Sequence, residues 1–261
     1  MLMIFFQGVI LAEEDFYYQG QDDGDKLYVS SNTTGEVGVY TVSKGSSNVT
    51  MSSFMSQGED ADGIYYDEIN DVLYQLNRTD NVINAYSNVM EALDGDGTPE
   101  LTATSTSDFV NGREIAFTNG KLIVAQDATD DGTNQLIIYD ASADAITLDR
   151  VLDVDFNLWG IVLDGSTLYA IEDNSSNVKV IKNIFNQTGS AEVSSTVSVE
   201  GLVRTHGIVY VPKSDMMLLT DVGDAGSDTD GALIRIKRFT SASEDGMISS
   251  DEQIRVEGGS S

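Results

Sequence analysis

The chain has 261 residues, with 14 Lys and Arg against 43 Asp and Glu and a formal charge of −29; such a surface repels phosphate backbones and acidic headgroups, which excludes nucleic acid and polybasic membrane docking. No Cys and a single His exclude disulfides, thiol nucleophiles, Cys-ligated zinc and iron–sulfur clusters. A hydrophobic content of 41% is enough for a core in one large all-β domain or two ordinary ones.

Residues 1–13 form an apolar segment, Leu2 to Ala12, broken by Gln7 and Gly8 and closed by acidic residues. It is too short for a transmembrane span. No Lys or Arg precedes it and Ile10 stands two before Ala12, so the segment reads either as a closing strand or as a signal remnant. N-x-S/T sequons at Asn32, Asn48, Asn77, Asn174 and Asn186, together with the acidity, point to a secreted, periplasmic or cell-surface protein.

From residue 14 to 257 the chain repeats. KLYVSSN, VLYQLNR, KLIVAQD, TLYAIED and MMLLTDV are anchored at Leu27, Leu73, Leu122, Leu168 and Met217, with separations of 46, 49, 46 and 49 residues. That spacing is the length of one four-stranded propeller blade. Each anchor after the first follows a Gly-Ile-like strand: DGIYYD, REIAFT, WGIVLD and HGIVYV. Each anchor precedes a third strand (EVGVYTV, VINAYSN, QLIIYDA, NVKVIKN, ALIRIKR) and a fourth (NVTMSSF, ELTATST, ITLDRVL, AEVSSTVSV, EQIRVEG). Period-two alternation and Gly/Asn/Asp turns, with no amphipathic helix, predict an all-β propeller of four-stranded blades. Five blades are readable, so the expectation is a five- or six-bladed ring or a fragment of a longer propeller, followed by a Gly/Ser tail at 258–261.

At GIYYDEINDVLYQLNRTDNVINAYS and WGIVLDGSTLYAIEDNSSNVKVI the chain resembles the NHL, YWTD and gluconolactonase-like propeller superfamily. The resemblance implies a propeller fold and a choice among lactonases, surface binding proteins and structural modules. The lactonases of the superfamily hold a channel calcium ion with Glu, Asn and Asp side chains from separate blades.

In a propeller the first strand of a blade begins, and the second ends, on one face near the central channel. Two columns of candidate ligand-binding residues result. Asp62, Arg113, Trp159 and His206 start the first strands; Ser31, Asn77, Gln126, Glu172 and Asp221 end the second strands. One cation, one imidazole, one indole and several carboxylates suit a small polar ligand, or are the solvated polar residues of any channel mouth. His206 is a candidate general base with Asp221 or Glu172 to orient it, and Trp159 a candidate stacking platform. Arg113 and Arg204 are candidate carboxylate clamps or neutralise nearby Asp and Glu. On the same face lie two inserted loops, DATDDGTN and DVGDAGSDTDG. Their Asp127, Asp130, Asp131, Asp224, Asp228 and Asp230 are of the type that ligates Ca²⁺, a hard cation wanting six to eight oxygens, or they are ordinary turn residues. DGDGTPE from Asp94 resembles the start of a calcium loop without its closing Glu.

The sequence therefore predicts an exported, non-enzymatic propeller presenting an acidic loop-rich face to a protein, glycan or small ligand. A calcium-dependent lactonase-like hydrolase, with Glu172 and Asp221 as ligands and His206 near the substrate, is one alternative. The other is a structural subunit of a surface layer, filament or homo-oligomer, formed when the N-terminal segment adds to an open sheet edge.

Overall fold

The computed structural model describes residues 25–30, 36–42, 49–55, 61–94, 97–127, 133–221, 231–243 and 246–257. Four sheets of four strands or more form the blades of an all-β propeller. Blade 1 comprises Ala61–Asp67, Val72–Asn77, Val82–Ser87 and Glu100–Thr104. Blade 2 comprises Gly112–Thr118, Lys121–Gln126, Gln135–Ala141 and Ile146–Asp153, with the two-residue strand Gly189–Ser190 added at its edge. Blade 3 runs Leu158–Asp164, Thr167–Glu172, Asn177–Ile181 and Ser195–Val199, extended by Met247–Ile248. Blade 4 runs Thr205–Val211, Met216–Asp221, Ala232–Lys237 and Gln253–Glu257.

The expectation of five or six four-stranded blades is thereby corrected to four. The repeat anchored at Leu27 supplies only a three-stranded sheet, Asp25–Ser30, Glu36–Val42 and Val49–Met55. A blade needs an inner strand ahead of the anchor, and no strand beside Asp25–Ser30 other than Glu36–Val42 belongs to this sheet among the described residues. The N-terminal segment 1–13 and the tail 258–261 lie outside the described residues.

The described chain divides into two compact units, Met1–Val124 with Ile137–Arg150, and Ala125–Leu136 with Val151–Ser261. In the first, Val37, Ile64, Leu73, Tyr86, Val89 and Leu93 form a buried cluster. In the second, Tyr169, Ile171, Val178, Leu219, Ile234, Ile236 and Phe239 are among the residues of a larger one. Second and third strands are apolar nearly throughout, as strands buried on both faces must be; Val72–Asn77 is buried at every position.

Two features explain why the repeat keeps its residue types. In two of the Gly-Ile pairs the Gly marks a close approach of neighbouring first strands: a Cβ on Gly63 would lie 2.8 Å from the Ile115 amide nitrogen, and one on Gly160 would lie 2.9 Å from the His206 carbonyl oxygen, whereas Gly207 lies against the Thr220 side chain of its own blade. The second feature is a helical turn after the third strand, which period-two alternation does not predict. In blades 1, 3 and 4 a left-handed residue, Asn88, Asn183 or Arg238, precedes Val89–Asp94, Ile184–Asn186 or Phe239–Ala242. The first residue of each turn, Val89, Ile184 or Phe239, is fully buried. An Asp at the first hairpin anchors two of these turns. Asp71 accepts the Tyr66 hydroxyl at 2.8 Å and the Met90 amide at 2.9 Å; Asp215 accepts the Tyr210 hydroxyl at 2.9 Å and the Thr240 amide at 3.0 Å. Unpaired helix-end N–H groups are thus satisfied by a carboxylate from the neighbouring hairpin.

Candidate functional site

Within a blade the two predicted columns meet. Ala61 pairs with Asn77, Leu158 with Glu172 and Thr205 with Asp221, and the next paired residues are Ile64, Ile161 and Gly207. Asp62, Trp159 and His206 therefore sit in β-bulges directly beside the residue that ends the second strand. A bulge disrupts the ladder and re-aims a side chain, a device common next to functional sites. In the second unit the Trp159 and His206 rings stack, with centroids 4.5 Å apart and 20° between planes. In the first unit Asp62 is buried and takes a 3.3 Å ion pair from Arg78. Arg113 is half-buried beside Glu114.

The second-strand column holds loops. Asn77 accepts the Asp80 amide at 3.1 Å and donates to the Asp80 carboxylate at 2.9 Å. Gln126 donates to the Thr133 carbonyl and to the Gln135 side chain, both at 3.0 Å. Glu172 accepts from Asn177 at 2.7 Å and Ser175 at 3.1 Å, and Lys179 lies 3.3 Å away. Burial pushes the Glu172 carboxyl up, but the Asn177 hydrogen bond and the Lys179 charge outweigh it and hold the group below its ordinary value. Asp221 is buried, with no side-chain exposure, beside Arg255 at 3.4 Å. It accepts the Val203 amide at 3.1 Å and the Arg204 amide at 2.8 Å, while Arg255 also reaches the Gly201 carbonyl at 2.7 Å. Each of these side chains saturates the polar backbone or side chains of a turn that would otherwise be partly desolvated without partners.

Glu114 was not among the predicted site residues. Its signal lay in the Gly column: Gly63, Gly160 and Gly207 precede Ile64, Ile161 and Ile208, whereas Glu114 precedes Ile115. The carboxyl is buried, with Oε1 accepting the Ile115 amide at 3.0 Å. Burial raises it well above the ordinary carboxyl range, the amide hydrogen bond opposes that shift, and the nearby Asp62 charge adds to it. For an acid raised in the folded state the protonated form's contribution to stability is fully present below the unfolded value and is lost as pH rises through the folded value. Glu114→Gln is accordingly expected to raise the thermal midpoint at about pH 8 and to leave it unchanged near pH 4, as read by scans at the two pH values.

Of the six candidate calcium ligands, Asp127 is described and half-buried, while Asp130, Asp131, Asp224, Asp228 and Asp230 lie outside the described residues, as does Ser31. Among the described residues no group of three or more His, Asp and Glu side chains is placed to hold a metal ion. Among the same residues no helix is long and apolar enough to cross a membrane.

No family model and no curated protein matches the chain. Among solved structures it is similar to a chain of a nidogen/laminin complex, at 16% identity and a TM-score of 0.57 over 82% of this chain and 74% of that one. It is also similar to Myxococcus xanthus glutaminyl cyclase, at 20% identity and a TM-score of 0.49 over 74% of this chain and 80% of that one. A third similarity, to the WD40 β-propeller domain of Doa1, has 13% identity and a TM-score of 0.49 over 84% of this chain and 64% of that one. Identity this low speaks for fold alone. The chain has the β-propeller fold.

Proposed function

We propose that this propeller is an exported, non-enzymatic binding module that presents its acidic, loop-rich face to a protein, glycan or small ligand. The observation that carries the reading is that residues ending the second strands hold neighbouring turns: Asn77 holds Asp80, Glu172 holds Asn177, and Asp221 holds the Val203 and Arg204 amides. Turns already held in place bind without the cost of ordering them. The likeness to a chain from a nidogen/laminin complex supports a role in assembly with another macromolecule.

The test is an array of purified extracellular proteins and glycans, probed once with calcium and once with excess chelator. The expected result is at least one saturable ligand whose affinity falls about tenfold, about 1.4 kcal/mol, when Asp127, Asp130, Asp131, Asp224, Asp228 and Asp230 are changed together to Asn. Dependence on calcium would assign an ion to these loops. Calcium-dependent turnover of a lactone panel would instead establish the hydrolase alternative and overturn the reading.

A further inference from the structure

The strongly acidic chain concentrates cations at one place. Beside the outermost strand of blade 4 lies a cleft of about 440 Å³ whose lining includes Lys237, Arg238, the buried Arg235, Ser241 and Ile254. Among the described residues no carboxylate forms an ion pair with Lys237 or Arg238. The rim also carries Asp251 and Glu252, so the three cations of the cleft outnumber its two carboxylates, and Ser249 occupies an oxygen of each carboxylate. The Ser249 amide donates to Glu252 at 2.9 Å, and its hydroxyl, 2.8 Å from Glu252 and 2.5 Å from Asp251, donates to one of the two at a time.

Arg238 also breaks a pattern of the repeat. Nine described non-glycine residues have positive φ; eight are Asn or Asp, which tolerate the left-handed region, and the ninth is Arg238 at φ 52°. Its equivalents ahead of the helical turns of blades 1 and 3 are Asn88 and Asn183. A long side chain in this conformation bears a cost that the neighbouring structure must hold in place, and such residues cluster at functional sites. The restraint is visible: Asp215 fixes the turn that follows, its carbonyl accepting the Phe239 amide at 2.8 Å and its carboxylate the Thr240 amide at 3.0 Å. The cleft is also remote from the Asp221 end of the hairpin. Asp221 pairs with Ala232 and Met216 with Lys237, so five residues of strand, roughly 17 Å, separate the two ends of the hairpin. That is about twice the Debye length of about 8 Å at physiological salt.

We propose that this cleft binds an oxyanion, with Lys237 and Arg238 as the charge-bearing donors, Ser241 as a neutral donor and Ile254 as an apolar wall for the rest of the ligand. Carboxylates and tetrahedral oxyanions share this chemistry. Calorimetric titration at low ionic strength with citrate and, separately, with inorganic phosphate tests the proposal and distinguishes the two sources. Saturable binding of either is expected, weakened about tenfold or more by the K237Q/R238Q pair. Lys182→Gln, an exposed charge loss elsewhere, should leave it unchanged. Arg238→Gly separates function from folding, because Gly accepts this φ freely. It should hold or raise the thermal midpoint while weakening binding. No saturable binding of either anion, equal binding by the double variant, or equal loss in Lys182→Gln would overturn the proposal.

Discussion

Asp221→Ala is expected to lower the unfolding free energy by about 3 kcal/mol, because removing the buried carboxylate leaves two amide donors unsatisfied and takes the counter-charge from the half-buried Arg255. The carboxylate has no side-chain exposure, and it receives the Val203 and Arg204 amides as well as Arg255. For a protein of this size the midpoint should fall by about 6–12 °C. Asp221→Asn, which keeps an acceptor oxygen and the shape while losing the charge, should fall less. Urea unfolding of the two variants checks the order; equal and small losses would mean that the loop at 201–204 is held by something other than this carboxylate.

Gly63→Ala is expected to cost about 3 kcal/mol, at the upper end of ordinary overpacking. The added methyl would stand 2.8 Å from the Ile115 amide nitrogen and 3.0 Å from the Glu114 Cα. Those are backbone atoms of the neighbouring first strand, so rotation of a side chain does not relieve the contact. Gly165→Ala is the informative comparison. Its φ is +57° but nothing lies within 4 Å of the new Cβ, so it carries only the torsional cost of the left-handed region, about 1 kcal/mol. Thermal unfolding of both variants should therefore show the larger loss at the glycine with ordinary backbone angles. The reverse order would mean that the first strands of blades 1 and 2 have room between them.

The same contacts explain which parts of the fold were legible. Strand order within a repeat was readable because alternation and turn residues are local, and all five fourth-strand segments occur as strands. Blade count was not, because the repeat at Leu27 has the right local pattern while completion of its sheet depends on a partner strand that alternation cannot name. Val89, Ile184 and Phe239 each follow a left-handed residue, and one or two buried side chains on a helix of three to six residues leave no helical period to detect. At the candidate site the residue types were visible but their partners were not. Asp221 meets amides 17 and 18 residues before it and a guanidinium 34 residues after it, and only the closed blade brings these together. Glu114 stood out only as the exception in a column of glycines.

The central claim is that the polar second-strand ends order the loops of the candidate binding face through the protein's own contacts. Amide hydrogen exchange followed residue by residue, without ligand and with excess chelator, tests it most directly. The account predicts slow exchange at Asp80, Val203 and Arg204, whose amides donate to Asn77 and Asp221. Exchange at unprotected rates, slowed only when calcium is added, would contradict it and make these side chains ligands of an ion.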